Sequence, residues 1–256
     1  MTELIFLGTG TSQGVPIIGC ECEVCLSSNQ KDKRLRSSVF VRTKQTNVVI
    51  DTGPDFRQQM LRENIKQLDA VVFTHEHKDH IAGLDDVRAF NYILKKKIPV
   101  YATARVIKAL EREFYYVFEE EKYPGVPELE IIEINTKCFQ INDLHIQPVQ
   151  VLHYQLPVLG FILNKKIAYI TDANYISPDE KEKLKGIEVL IINALRREKH
   201  ISHFTLEEAL ELVNELQPQK AYFTHISHQL GKHEEVSKEL PENVFLAYDG
   251  LKMVCY

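Results

Sequence analysis

The heptapeptide THEHKDH, Thr74 to His80, constrains this chain more than any other stretch. Three imidazoles and a carboxylate (His75, His77, Asp79 and His80) fall within six positions. The motif follows DAVVF, an apolar run that reads as a strand buried on both faces. As that strand runs out, its two-residue period puts His75 and His77 on one side, and Asp79 and His80 fall on the turn beyond. A lone histidine is ordinarily filler or solvated surface. Four ligand-type side chains at this spacing, aimed two ways by one turn, instead suit two metal ions.

A dinuclear site needs more donors than one loop holds, and the sequence offers them where other apolar runs end. His153 closes IQPVQVLH, Asp172 closes IAYITD and His225 closes AYFTH. Neutral imidazoles suit zinc, and one carboxylate can bridge two cations about 3.5–4 Å apart. The expected set is His75, His77 and His153 on one metal and Asp79, His80 and His225 on the other, with Asp172 bridging them. Zinc and manganese both suit such mixed donors.

The rest of the chain reads as a layered α/β fold. Short β-branched runs alternate with helix-like stretches and no linker interrupts them, so a single domain over residues 1–256 is expected. SSVFVRT and TNVVIDTG read as paired strands, and LEIIEI, LHIQPVQVL, VLGFIL, KIAYITD, IEVLIIN and KAYFTH as further ones. RVIKALEREFYYVF and TLEEALELVNEL have helical spacing, the second opening with Thr205 and Glu208 in capping-box positions. The two halves echo each other. In each, an apolar strand ends in aspartate (NVVIDTG, KIAYITDA) and a later one in Thr-His (AVVFTH, KAYFTH). The echo predicts two packed sheets, helices outside, and one shared site on an edge.

With Asp51 at an earlier strand end, and His153, Asp172 and His225 later, THEHKDH resembles the metallo-β-lactamase-fold hydrolases. The resemblance implies an αββα sandwich with a dinuclear site at its edge, and Asp51 as a brace of the histidine loop rather than a ligand. GTGTSQGVPIIGCECEVC, with THISHQ and AYDGLKM much later, is similar to the phosphoribosyl 1,2-cyclic phosphate phosphodiesterases of carbon–phosphorus lyase pathways. Those enzymes carry a Cys-x-Cys-x2-Cys knuckle at a structural zinc. Here Cys20, Cys22 and Cys25 supply three thiolates and lack a fourth donor, which His228 can provide. FTHISHQ then divides, His225 facing the catalytic metals and His228 the knuckle.

The implied activity is dinuclear-metal-dependent hydrolysis of a small cyclic phosphate or phosphodiester, with a metal-bridging hydroxide as nucleophile. His203 stands just before a capped helix N-terminus, where an anion is favoured. In the related phosphodiesterases a histidine in this stretch contacts phosphate, so His203 is expected to bind substrate and act as general acid, with His200 its rival. Asp79 is a second candidate for proton transfer, although a metal-bound carboxylate is a weak base. Arg88 is a candidate to bind a second phosphate or the leaving group, or equally to be solvated or to pair with the nearby Asp85 and Asp86. GTGTSQG has Val15-Pro16 where a phosphate-binding helix should begin, and reads instead as a turn whose glycines let backbone approach the metals.

Composition sets the outer bounds. The chain is 44% hydrophobic and 26% charged with a net charge of −5, which suits a soluble protein and argues against nucleic-acid or anionic-membrane partners. No stretch approaches the ~20 apolar residues of a membrane span. No basic leader opens the chain, and clustered cysteines fit metal binding in a reducing compartment, so a cytoplasmic location is expected. The resemblance adds a homodimer as an expectation. Three alternatives share the motif: an RNA-processing nuclease, a glyoxalase-type thioester hydrolase, and a non-catalytic metal-binding module. The knuckle and the paired histidines favour phosphodiesters, and the complete ligand set favours an enzyme.

Overall fold

The computed structural model describes residues 1–121 and 123–256. Its strands are β1 (Thr2–Gly8), β2 (Ser38–Arg42), β3 (Asn47–Ile50), β4 (Ala70–Val72), β5 (Ile98–Ala102), β6 (Leu129–Glu133), β7 (Phe139–Ile141) and β8 (Leu144–His153). They continue with β9 (Leu156–Leu163), β10 (Ile167–Ile170), β11 (Tyr175–Ile176), β12 (Val189–Asn193), β13 (Lys220–Thr224), β14 (Val244–Leu246) and β15 (Lys252–Cys255). The helices are α1 (Phe56–Arg62), α2 (Lys78–Ile81), α3 (Arg88–Leu94), α4 (Ala104–Glu113), α5 (Tyr115–Phe118), α6 (Pro178–Lys183), α7 (Leu206–Leu216) and α8 (His233–Ser237).

Two sheets result. One has the order β15-β1-β2-β3-β4-β5-β6, and the other β11-β8-β9-β10-β12-β13-β14 with β7 beside β8. Their strands are apolar on alternate faces, and each face finds its own partner. Phe6, Val48, Ile50 and Val72 meet Ile146, Phe161, Tyr169 and Ile191 between the sheets. On the far side of the first sheet Val49, Val71 and Phe73 pack with Phe56, Phe90, Val106 and Leu110 of α1, α3 and α4. On the far side of the second, Ile170, Leu190 and Ile192 pack with Leu206, Ala209, Leu212, Val213 and Leu216 of α7. This is the expected αββα sandwich, and it explains why DAVVF is apolar throughout.

Direction matters more than layering for the site. β3, β4, β5 and β6 run parallel, as do β10, β12, β13 and β14. Parallel strands deliver their C-terminal ends to one edge, so Asp51 lies beside the Thr74–His75 segment, and Asp172 shares its edge with Asn193 and His225.

Local chemistry sets the boundaries. The Thr205 hydroxyl accepts from Glu208 N–H at 3.1 Å and the Glu208 carboxylate accepts from Thr205 N–H at 2.9 Å, so the expected capping box starts α7. The single helix expected over RVIKALEREFYYVF is two: Phe114 leaves helical geometry at φ −120° and is buried, which separates α4 from α5. The glycine-rich turn also serves a purpose other than the expected one. A Cβ on Gly10 would stand 2.8 Å from the Arg34 carbonyl oxygen, so glycine is needed for close approach to the 34–36 backbone, not to a metal. Among the described residues no helix is long and apolar enough to cross a membrane.

Candidate metal centres

Donor atoms of His75, His77 and His153 form one group whose members all lie within 4.8 Å of each other, and those of Asp79, His80, Asp172 and His225 form another. Asp172 also groups with His153 and His203 within the same limit. The seven residues expected to hold two metals are thus brought together from four separate strand ends, with Asp172 placed between the two sets.

The inner faces of these groups are set by what holds the outer faces. Asp51 takes three hydrogen bonds: from Thr74 N–H at 2.8 Å, from the Thr74 hydroxyl at 2.7 Å and from His80 Nδ1 at 2.7 Å. Having donated its proton to Asp51, the Thr74 oxygen accepts from His75 Nδ1 at 3.0 Å. The Ser37 hydroxyl donates to the Gly10 carbonyl at 2.9 Å and accepts from His225 Nδ1 at 3.2 Å. His153 Nδ1 donates to the Ser202 carbonyl at 2.8 Å. In all four rings Nδ1 carries the proton, which leaves a lone pair on Nε2. The expected brace role of Asp51 agrees with its contacts. Ser37, Thr74 and Ser202 went unassigned from sequence, although Thr74 belongs to the Thr-His echo.

Those lone pairs face one another or carboxylate oxygens. His75 Nε2 lies 3.1 Å from His77 Nδ1. His80 Nε2 is 3.2 Å from both Asp79 Oδ2 and Asp172 Oδ2, and His225 Nε2 is 3.2 Å from Asp172 Oδ1. His80 Nε2 and His225 Nε2 are buried with no hydrogen-bond partner among the described residues. Electron pairs at this range repel unless a proton or a metal cation lies between them. The spacings fit a divalent ion, since nitrogen ligands at ~2.0–2.1 Å around tetrahedral zinc stand about 3.3 Å apart. Burial disfavours charge on His80, yet Asp79, Asp172 and Asp51 outweigh it and hold its pKa well above the usual histidine value. Burial also raises the cost of ionising Asp172, but His225 and His80 overcome it and keep that carboxylate well below its ordinary range. Asp79 and Asp172 therefore favour positive charge at their centre, which a divalent metal would supply in place of the His80 proton. His77 is exposed, so the site opens on that side.

Backbone geometry contributes as well. Asp51, Asp172 and His225 have φ values of 66°, 54° and 54°, the left-handed conformation that turns a side chain inward as its strand ends. A Cβ on Gly53 would lie 2.2 Å from the Asp79 carbonyl oxygen, so the turn after β3 can press against α2 only because residue 53 is glycine. Asn193, also unassigned from sequence, accepts from Ala173 N–H at 2.8 Å and donates to the Ala173 carbonyl at 3.0 Å, fixing the chain just after Asp172.

The second cluster brings together the four residues expected of it. Cys20, Cys22 and Cys25 Sγ lie 3.4, 3.2 and 3.6 Å from His228 Nδ1. Sulfur and nitrogen on one tetrahedral zinc stand about 3.5 Å apart. The apolar residues around this cluster, Val15, Val24 and Ile17, make too small a core to hold the loop alone, which suits a structural ion. The Cys22 thiol is lowered to about 6 by the Cys25 N–H and His228, whereas burial pushes Cys25 up to about 11, so three adjacent thiolates require a cation.

His203 and His200 flank the first centre. The His203 ring stacks on His225 at 4.8 Å and lies 4.6 Å from His153, with Nδ1 3.8 Å from Asp172 Oδ1 and no hydrogen-bond partner. His200 is less buried, and its Nδ1 accepts from Ser202 N–H at 3.3 Å. Arg88 lies apart from these groups. It pairs with Asp85 at 3.3 Å and lines a separate cavity with Tyr92, Lys95, Lys96 and Lys97, where none of the metal-type ligands appears. Asp85, three residues earlier on the same helical turn, captures the guanidinium.

With this geometry in place, known proteins can be compared. Residues 46–226 match the family described as a beta-lactamase superfamily domain. The crystal structure of a diphosphatase from the PhnP family superposes with a TM-score of 0.92 at 41% identity, covering 98% of this chain and 96% of that one. Zinc-bound PqqB from Methylobacterium extorquens has the same fold, with a TM-score of 0.80 at 18% identity over 99% of this chain and 100% of that one. A Porphyromonas gingivalis protein named octanoyltransferase is 40% identical over 253 residues, which are 98% of this chain and 51% of the relative. The chain thus spans about half the length of that relative. The chain belongs to the beta-lactamase superfamily and, within it, to the metallo-β-lactamase-fold hydrolases of the PhnP family.

Proposed function

We propose that the protein is a dinuclear-metal phosphodiesterase acting on a small cyclic phosphate or phosphodiester of the phosphoribosyl cyclic phosphate type. One observation carries the reading: the two carboxylate oxygens of Asp172 lie at 3.2 Å from His80 and His225, while the same residue groups with His153 and His203. A carboxylate so placed is suited to bridge two ions. The PhnP-family neighbour is a diphosphatase, so P–O bond cleavage is the chemistry that likeness supports.

Two divalent cations, zinc or manganese, would lower the pKa of water at the site and neutralise charge on phosphate oxygens. The chain's own residues do the rest. His75, His77 and His153 would hold one ion and Asp79, His80 and His225 the other, with His75, His80, His153 and His225 oriented from behind by hydrogen bonds at Nδ1. Asp79 is held below the usual carboxylate range because His80 outweighs the cost of its burial, so it stays ionised and suits a ligand better than a base. His203 forms the wall beside the substrate position. Burial and then the His225 imidazole hold its pKa down, so it is neutral in the free protein. The general-acid role requires a bound phosphate anion to raise that pKa, so that His203 can pass a proton taken from the nucleophilic water to the leaving oxygen.

The test is a substrate panel of bis-p-nitrophenyl phosphate, ribosyl cyclic phosphate, a dinucleotide and an octanoyl thioester, with wild type, His203→Ala and His200→Ala. The expected outcome is turnover of phosphodiesters, a loss of about 100-fold in His203→Ala and under about tenfold in His200→Ala. A larger loss in His200→Ala would exchange the two roles. A second reading, thioester hydrolysis, is favoured by the relative named octanoyltransferase, because acyl transfer draws on activated acyl donors. Preference for the octanoyl thioester would select it.

A further inference from the structure

The segment from Leu195 to Phe204 carries His200 and His203 to the site without belonging to a strand or helix. Its ends are closed. Leu195 N–H donates to the Phe204 carbonyl at 3.0 Å, Phe204 N–H to Ala173 at 2.8 Å, and Leu206 N–H to Arg196 at 2.9 Å. Inside a loop of this kind the carbonyl groups need partners from within or from water.

Arg196 supplies them. Its Nε donates to the Glu198 carbonyl at 3.1 Å and its Nη2 to the Lys199 carbonyl at 2.9 Å. The remaining nitrogen, Nη1, reaches Gln229 Oε1 at 3.0 Å. Gln229 follows His228, the fourth donor of the cysteine cluster, and its N–H is held by the Ser227 hydroxyl at 3.0 Å. Ser227 N–H in turn donates to the Leu195 carbonyl at 3.0 Å. The planar fork of a guanidinium can serve three acceptors in fixed directions, which an ammonium cannot. The other charges on the loop pair differently: Arg197 with Glu239 at 2.8 Å and Lys199 with Glu208 at 3.6 Å, both exposed and screened.

We infer that Arg196 is a positioning residue that couples the cysteine cluster to the substrate wall. It fixes the loop internally and anchors it, through Gln229, to the segment that closes the cluster. The Ser202 carbonyl then orients His153, and His203 keeps its place against Asp172 and His225. The kinetic part of the inference rests on the phosphodiesterase reading; the structural part does not. Displacement of a reacting group by about 1 Å costs on the order of 100-fold in rate, so a loosened loop is expressed in turnover even when every metal ligand is intact.

The experiment combines amide hydrogen exchange, metal analysis and kinetics on the full chain. In Arg196→Ala, exchange across residues 197–203 should rise about tenfold or more while α7 stays protected and both metal complements are retained. Turnover of bis-p-nitrophenyl phosphate should fall about 100-fold, mostly in kcat. Arg196→Lys should behave like the alanine variant, and Gln229→Ala should give a smaller rise in exchange. Cys22→Ser, which removes the cluster's metal while sparing the catalytic set, should loosen the same residues. Unchanged exchange in Arg196→Ala overturns the clamp, and unchanged exchange in Cys22→Ser overturns the coupling. Loss of the cluster's metal in Arg196→Ala would make Arg196 a prop of that cluster, which also overturns the inference. Should wild type leave the diester intact, the phosphodiesterase reading fails while the exchange data still decide the clamp.

Discussion

Asp51 and Asp172 end corresponding strands of the two sheets, adopt the same left-handed backbone conformation and flank the same imidazole, His80. Their duties nevertheless differ. Asp51 receives three donors at 2.7–2.8 Å, two from Thr74 and one from His80 Nδ1, and its lone pairs are occupied. Asp172 receives one protein hydroxyl, Thr171 at 2.7 Å, and otherwise faces the bare Nε2 atoms of His80 and His225. A carboxylate saturated with donors is a brace, and one left short of them is a ligand.

The cause lies in strand order. β3 pairs directly with β4, so Asp51 meets the backbone of Thr74 at the end of the neighbouring strand. In the second sheet β12 intervenes between β10 and β13, so Asp172 stands one strand removed from Thr224 and His225. Asn193 at the end of β12 occupies the backbone of Ala173 instead and leaves the Asp172 carboxylate free. One inserted strand thus turns a repeated sequence feature into two functions.

Substituting Asp172 should have the largest effect. Asp172→Ala removes a donor facing both histidine sets, so dialysed protein should lose catalytic metal and kcat/KM should fall on the order of 1000-fold, unrelieved by added metal. Metal content by mass spectrometry and steady-state kinetics check this. Retention of both ions with near-normal turnover would show that Asp172 bridges nothing. Asp51→Asn should be milder. It disturbs the orientation of His80 without removing a ligand, so metal affinity should drop about 10–100-fold and kcat should recover at saturating metal. Equal behaviour of the two variants under metal titration would erase the distinction between them.

The part of this comparison visible in the sequence is the local part. The histidine loop and the strand-end residues announce themselves because ligand spacing along a strand or turn is short-ranged. The Asp/Thr-His echo is visible for the same reason. The division of labour between the aspartates is not visible in spacing, because it depends on β12 lying between β10 and β13, and only resemblance assigned Asp51 its brace role. Ser37, Asn193 and Ser202 have no spacing signature and Thr74 only its place in the Thr-His echo; they matter through hydrogen bonds to partners distant in sequence. For Arg88 the sequence leaves two readings open, substrate contact or pairing with a nearby aspartate, and the fold places it beside Asp85. RVIKALEREFYYVF misleads because tertiary burial of Phe114 overrides a helical period.

The smallest effects should come from the two threonines. Thr74→Val removes a buried donor from Asp51, whose other partners cannot replace it, and should cost about 1–2 kcal/mol of stability with or without metal. Thr171→Val removes the one hydroxyl that Asp172 receives, and in metal-free protein should cost a similar about 1–2 kcal/mol. Metal loading relieves only the second case, since a cation can compensate the Asp172 carboxylate, whereas Thr74→Val also frees Nδ1 of His75 and so weakens a ligand of the site. Denaturant unfolding of both variants, each with and without metal, should therefore show the Thr171→Val cost shrinking on loading and the Thr74→Val cost undiminished. If both costs shrink together, Asp51 shares in metal binding and the contrast between saturated and unsaturated carboxylates fails at its simplest point.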